Sequence, residues 1–64
     1  MSDAMRGRRR ELKLTQAELA KDVGVSRQTI IAIEGGDYAP SVFLALDIGK
    51  RLGMTVEELF GKHD

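Results

Sequence analysis

The sequence of 64 residues contains no cysteine, which excludes disulfides and a thiolate zinc site and is compatible with a reducing cytoplasm. No window approaches the roughly 18 apolar residues of a membrane span. The arginines of the opening "MSDAMRGRRR" are followed by no apolar stretch of the kind an export signal carries. The chain is therefore expected to be soluble, unexported and cytoplasmic, with no membrane partner. Sustained period-2 alternation is missing too, and the β-branched residues fall inside helical patterns, so strands are not expected. Catalytic arrangements are equally scarce. No serine or cysteine nucleophile has a histidine near it, and there are neither paired carboxylates in a plausible cleft nor a glycine-rich phosphate loop. His63 stands alone, without metal-ligand companions at a suitable spacing. These absences point away from an enzyme and away from any metal or cofactor.

Net charge is formally zero, whereas a nucleic-acid partner is usually announced by a basic balance. The distribution qualifies that number. From Met1 to Gly36 there are seven Lys/Arg against five Asp/Glu, a balance of +2, and from Asp37 to Asp64 three against five, a balance of −2. Four of the positive charges lie in "RGRRR", so a neutral chain can still carry a basic face.

Caps and glycines divide the chain into five short helices. The first is expected from about Asp3 to Glu11 or Leu12, with Ser2 as its candidate cap and Gly7 as a weak point of about 1 kcal/mol relative to alanine. The second opens at "TQAE", where Thr15 and Glu18 have capping-box spacing, and closes at Gly24. The third runs from the cap Ser26 to Gly35 and Gly36. In the loop "GDYAP", Pro40 disfavours a helical Ala39 and forces a break. Ser41 caps a fourth helix, Val42 to Leu52, and Thr55 with Glu58 forms a second box before a short fifth helix. The tail of residues 61–64 is expected to fray. Met5, Leu12, Leu14, Leu44, Leu46, Ile48, Leu52, Leu59 and Phe60 are read as core. A chain this short holds one domain, an all-α bundle of five helices spanning residues 1–64, near the lower size limit for self-sufficient folding.

Only "GVS" separates the second helix from Arg27, so the two helices are expected to cross steeply. Leu19, Val23, Val25, Ile30 and Ile33 would fill the wedge, with Ala20 keeping the crossing narrow. This is a helix-turn-helix over about residues 16–35. With Ile30 and Ile33 committed inward, Arg27, Gln28 and Ile31 face outward. Arginine can fork onto guanine O6 and N7, glutamine can pair with adenine N6 and N7, and a branched alkyl group can meet a thymine methyl. Ile31 has the alternative of packing on the second helix, and Arg27 and Gln28 that of plain exposed polarity. Thr15 and Gln16 sit at the positive end of the second helix, where exposed N–H groups favour a phosphate. One or two of Arg6, Arg8 and Arg10 are further candidates for phosphate, against a simply solvated helix face.

The run "LTQAELAKDVGVSRQTIIAIEGGDYAPS" resembles the helix-turn-helix domain of the Cro/CI (Xre-type) family of phage and bacterial repressors. The likeness continues through "LALDIGKRLGMTVEELF" and covers nearly all of the chain after Met5. It implies a lambda-repressor-like DNA-binding fold, usually acting as a homodimer on a palindromic operator. By position, Gln16 resembles the family's phosphate-binding glutamine. Ser26, Arg27 and Gln28 match base- and phosphate-contacting positions, with Thr29 close by. Arg9 and Glu34 match a pair that forms an ion pair in some members. Three residues depart from the pattern. Asp37 stands where relatives often carry a residue suited to phosphate, Ile31 replaces a usually polar or small residue, and Phe43 stands where a polar residue or proline is common. Phe43 is either a dimer contact or folded back on its own core.

The leading expectation is a sequence-specific transcriptional regulator of double-stranded DNA, a repressor acting by occupancy. The alternative is an antitoxin-like or adaptor module that binds a protein partner, motivated by Asp37, Phe43 and the zero net charge.

Overall fold

Four of the five helices begin where a hydroxyl replaces the acceptor that a helix end lacks. The computed structural model describes residues 3–61. It contains α1 (Asp3–Glu11), α2 (Gln16–Val23), α3 (Arg27–Glu34), α4 (Val42–Leu52) and α5 (Val56–Phe60), with no strand among the described residues. Ser2, the candidate first cap, and residues 62–64 with His63 lie outside the described residues.

The Thr15 hydroxyl accepts from the Glu18 N–H at 3.0 Å while the Glu18 carboxylate accepts from the Thr15 N–H at 2.8 Å. Thr55 and Glu58 repeat the arrangement at α5. Ser26 and Ser41 cap α3 and α4 through the N–H groups of Thr29 and Leu44. Gly24 takes a left-handed conformation with φ 76°, which costs glycine little and turns the chain sharply between α2 and α3. Gly61, placed in the expected frayed tail, instead donates its N–H to the Glu57 carbonyl at 2.7 Å.

Every helix contributes to one core. Met5 of α1, Leu19 of α2, Ile30 and Ile33 of α3, and Ile48 and Leu52 of α4 are fully buried, and Leu59 of α5 joins them. Burial of each such side chain stabilises by about 1.5–3 kcal/mol. Ala20 is buried at the packing of α2 on α3, and Val23 and Val25 lie against the same cluster. Leu44 and Phe60 are half-buried beside it.

Two core assignments are corrected. Leu12 is 40% exposed and Leu46 is 49% exposed. Leu12 falls just past the end of α1 and Leu46 on the outer face of α4, so the apolar residue type misled where the direction of the side chain decides.

Polar contacts tie distant parts of the chain together. Arg8 donates through Nε to the Leu52 carbonyl at the end of α4, at 2.8 Å, and Arg51 of α4 meets Asp22 of α2 at 2.7 Å. Gly49 is buried where the turn after α4 passes closest. A Cβ added there would lie 2.5 Å from the Met54 carbonyl oxygen.

Candidate nucleic-acid interface

With Ile30 and Ile33 sealed in the core, the first two turns of α3 present their remaining side chains outward. Arg27, Gln28 and Ile31 are exposed, and Thr29 is half-buried. Arg27 makes no ion pair and Gln28 no side-chain hydrogen bond among the described residues. The Ser26 and Thr29 hydroxyls lie 3.0 Å apart in a mutual hydrogen bond, so both serve the local geometry of the helix start. Arg27 and Gln28 therefore offer a guanidinium fork and a carboxamide, the two groups suited to purine edges in a major groove, beside a branched alkyl group at Ile31.

The start of α2 opens beside this face. Arg9, Arg10, Thr15, Gln16, Ala17 and Arg27 line a shallow cleft of about 360 Å³. The capping box uses the N–H groups of Thr15 and Glu18, leaving those of Gln16 and Ala17 without an intrahelical acceptor. Hydrogen bonds from the Thr15 backbone and hydroxyl hold the exposed Glu18 carboxyl below its ordinary pKa. Free N–H groups, the positive helix end and the guanidiniums of Arg10 and Arg27 meet at this cleft, an arrangement of the kind that suits an anion.

The arginines of "RGRRR" have separate tasks. Arg9 is only 8% exposed. Its Nε donates to Glu34 Oε2 at 2.7 Å, its Nη2 to Glu34 Oε1 at 3.3 Å, and its Nη1 to the Leu14 carbonyl at 2.9 Å. Arg6 donates to the Glu34 carbonyl at 3.2 Å, and its Nε lies 3.8 Å from Glu34 Oε1. Arg8 serves Leu52 and Glu11. Arg10 is exposed, faces the cleft and pairs with no acidic residue among those described. Of Arg6, Arg8 and Arg10, Arg10 is the one that lines the cleft.

Glu34 is 2% exposed and accepts a further hydrogen bond from Gln16 Nε2 at 3.1 Å. Burial pushes its carboxyl up, but the hydrogen bonds from Arg9 and Gln16 and the charges of Arg9 and Arg6 outweigh it. The group titrates below its ordinary value.

The helix-turn-helix family model matches residues 5–59. The chain belongs to the Cro/CI (Xre-type) helix-turn-helix family of DNA-binding regulators. Similar proteins come from both archaea and bacteria. One from Methanothermobacter thermautotrophicus is 52% identical over 61 residues, covering 94% of this chain and 88% of that protein. One from Methanocaldococcus jannaschii is 60% identical over 47 residues, covering 73% and 71%. YgzD of Bacillus subtilis is 43% identical over 60 residues, covering 94% and 91%. Each of the three carries the name of an uncharacterized HTH-type transcriptional regulator.

In a family member, the places where the pattern is broken are informative. Asp37 is exposed just past α3, its N–H bonded to the Ala32 carbonyl at 2.9 Å. Phe43 is 80% exposed on α4, one turn from Leu46 and next to the exposed Val42. Folding back on the core is therefore not its arrangement here. Beside it, Ile33, Tyr38, Pro40, Val42, Val56 and Phe60 line an apolar groove of about 350 Å³. Among the described residues no cluster of His, Cys, Asp or Glu is placed to hold a metal, and no helix is long and apolar enough to cross a membrane. Sequence reasoning missed the Gln16–Glu34 bond and the separation of Arg10 from its neighbours, because both depend on where α3 ends relative to α1.

Proposed function

We propose that the chain is a sequence-specific transcriptional regulator that binds double-stranded operator DNA as a homodimer and represses by occupying the promoter, in the cytoplasm with that DNA. The observation that carries this reading is the division of α3. Ile30 and Ile33 anchor it, while Arg27, Gln28 and Ile31 stand outward at its exposed start. In the major groove, Arg27 and Gln28 read base edges and Ile31 meets an apolar edge. Thr15, Gln16, Ser26 and Thr29 hold or orient the adjoining phosphates, together with Arg10.

One such helix reads too few bases to find a site in a genome. A two-fold pair reading half-sites one helical turn apart requires each α3 to lie about 17 Å from the axis. That distance is within reach in a molecule measuring 31 × 22 × 19 Å. Phe43, with Val42 and Leu46, supplies an apolar face for the subunit contact. The same face, with Asp37 nearby in the chain, favours the second reading, a module that binds a protein partner.

Selection of bound duplexes from a random DNA library, followed by salt titration of the winners, tests both. Enrichment of a two-fold symmetric site is expected, with log K falling against log[salt] at a slope of about −0.9 per phosphate neutralised. Failure of the folded protein to enrich any sequence would favour the protein-partner reading. On an enriched site, Gln28→Ala is expected to leave the fold intact and to cost about 1–3 kcal/mol, concentrated at one base position. An equal loss on every sequence would contradict base reading by Gln28.

A further inference from the structure

We propose that Glu34 is a positioning residue for DNA backbone binding, its buried carboxylate holding the Gln16 carboxamide in one orientation at the open start of α2. This rests on the reading of that cleft as a phosphate site. A glutamine side chain is among the costlier ones to order, and ordering it before DNA arrives removes that cost from the binding step.

The geometry supplies the restraint. An ionised carboxylate only accepts hydrogen bonds, so Gln16 must turn its NH2 group inward to Glu34 Oε1, at 3.1 Å, and its amide oxygen away. One N–H of the amide is spent on Glu34, and the second is not. The anchor is itself fixed: Arg9 grips both carboxylate oxygens, at 2.7 Å and 3.3 Å, and Arg6 holds the Glu34 carbonyl at 3.2 Å. Arg9 also grips the Leu14 carbonyl at 2.9 Å, two residues before Gln16, so the backbone leading into α2 is referred to the same cluster. The guanidinium of Arg9 neutralises Glu34 in place, and the carboxylate does not repel phosphate from the cleft. Gln28, in contrast, stands exposed on α3 with no such partner among the described residues.

Two measurements test the role. Gln16 and Gln28 are the only glutamines and there is no asparagine, so only two carboxamide NH2 pairs occur in the 15N spectrum. In the free protein, heteronuclear relaxation is expected to find the Gln16 amide rigid and the Gln28 amide mobile. The second measurement is a double-mutant cycle with a random-sequence duplex as probe, using Gln16→Ala, Glu34→Gln and the pair, each checked for folding by circular dichroism. Each single change is expected to weaken binding roughly two- to ten-fold, the size of one hydrogen bond. The double variant is expected to be no worse than Gln16→Ala alone.

Losses from Glu34→Gln that are equal in both backgrounds would overturn the proposal and leave Glu34 a purely structural residue. Unchanged binding by Gln16→Ala would overturn the phosphate reading of α2 and this inference with it. A Gln16 amide as mobile as that of Gln28, alongside an intact Gln16→Ala loss, would overturn the positioning alone. If Glu34→Gln does not fold, the relaxation measurement on the unaltered protein decides.

Discussion

Three N–H groups converge on the Glu34 carboxylate where water does not reach, two from Arg9 and one from Gln16. Removing one partner of such a pair leaves a buried charge without compensation, which costs about 3–5 kcal/mol. Arg9→Met is therefore expected to take away much of the stability of so small a domain, read as a fall in the urea midpoint. Arg9→Met combined with Glu34→Leu is expected to cost far less, because no unpaired charge remains. The same residue sets an acid limit. Glu34 titrates lower in the folded protein than its ordinary value of 4.5, so its contribution is complete above that value and is lost as pH falls through the folded pKa. Melting temperature followed from neutral pH downward is expected to drop below about pH 4.5, with a shallower drop in Glu34→Gln. The groups facing Glu34 are Arg6, Arg9 and Gln16.

At the scale of elements, the helix starts depend on contacts that span four residues, and the helix packing depends on contacts that span dozens. Gly49 belongs to the second kind. A Cβ there would press on the Met54 carbonyl oxygen, and the Met54 N–H already bonds the Gly49 carbonyl at 2.9 Å, so the turn between α4 and α5 has little freedom to move away. Gly49→Ala is expected to destabilise by about 1–3 kcal/mol despite the better helix propensity of alanine, measured by urea unfolding. This contrast explains what the sequence made legible. Thr15 with Glu18, Ser26, Ser41 and Thr55 with Glu58 are readable because the cap hydroxyl and the N–H that donates to it lie within one turn. The outward position of Arg27, Gln28 and Ile31 follows from the commitment of Ile30 and Ile33 to the core. Arg8 on the Leu52 carbonyl, Arg51 on Asp22 and Gln16 on Glu34 are not readable, since no local spacing signals a partner 18 to 44 residues away. Leu46 shows a subtler failure. It lies one turn from Phe43, and α4 carries apolar residues on two faces, of which only one can point to its own core.

For the molecule as a whole, that second apolar face is the feature a lone monomer does not explain. Val42 is 71% exposed and Phe43 even more so, and solvation of these side chains contributes nothing to the fold. A charge placed at Phe43 should thus separate stability from assembly. Phe43→Glu is expected to leave the unfolding free energy of the monomer, read from urea denaturation, within about 0.5 kcal/mol of the unaltered protein, the usual range for a surface change. In the proposed homodimer the carboxylate would face its own copy across the two-fold axis, where like charges and lost apolar burial both oppose association. Sedimentation equilibrium is expected to find monomers at concentrations where the unaltered protein is dimeric. Affinity for a two-half-site operator should fall while affinity for an isolated half-site stays the same, because Arg27, Gln28 and the α2 cleft are untouched. Loss of binding to both duplexes in parallel would place Phe43 in the DNA contact. A dimer that survives the change would move the subunit interface to another surface of the molecule.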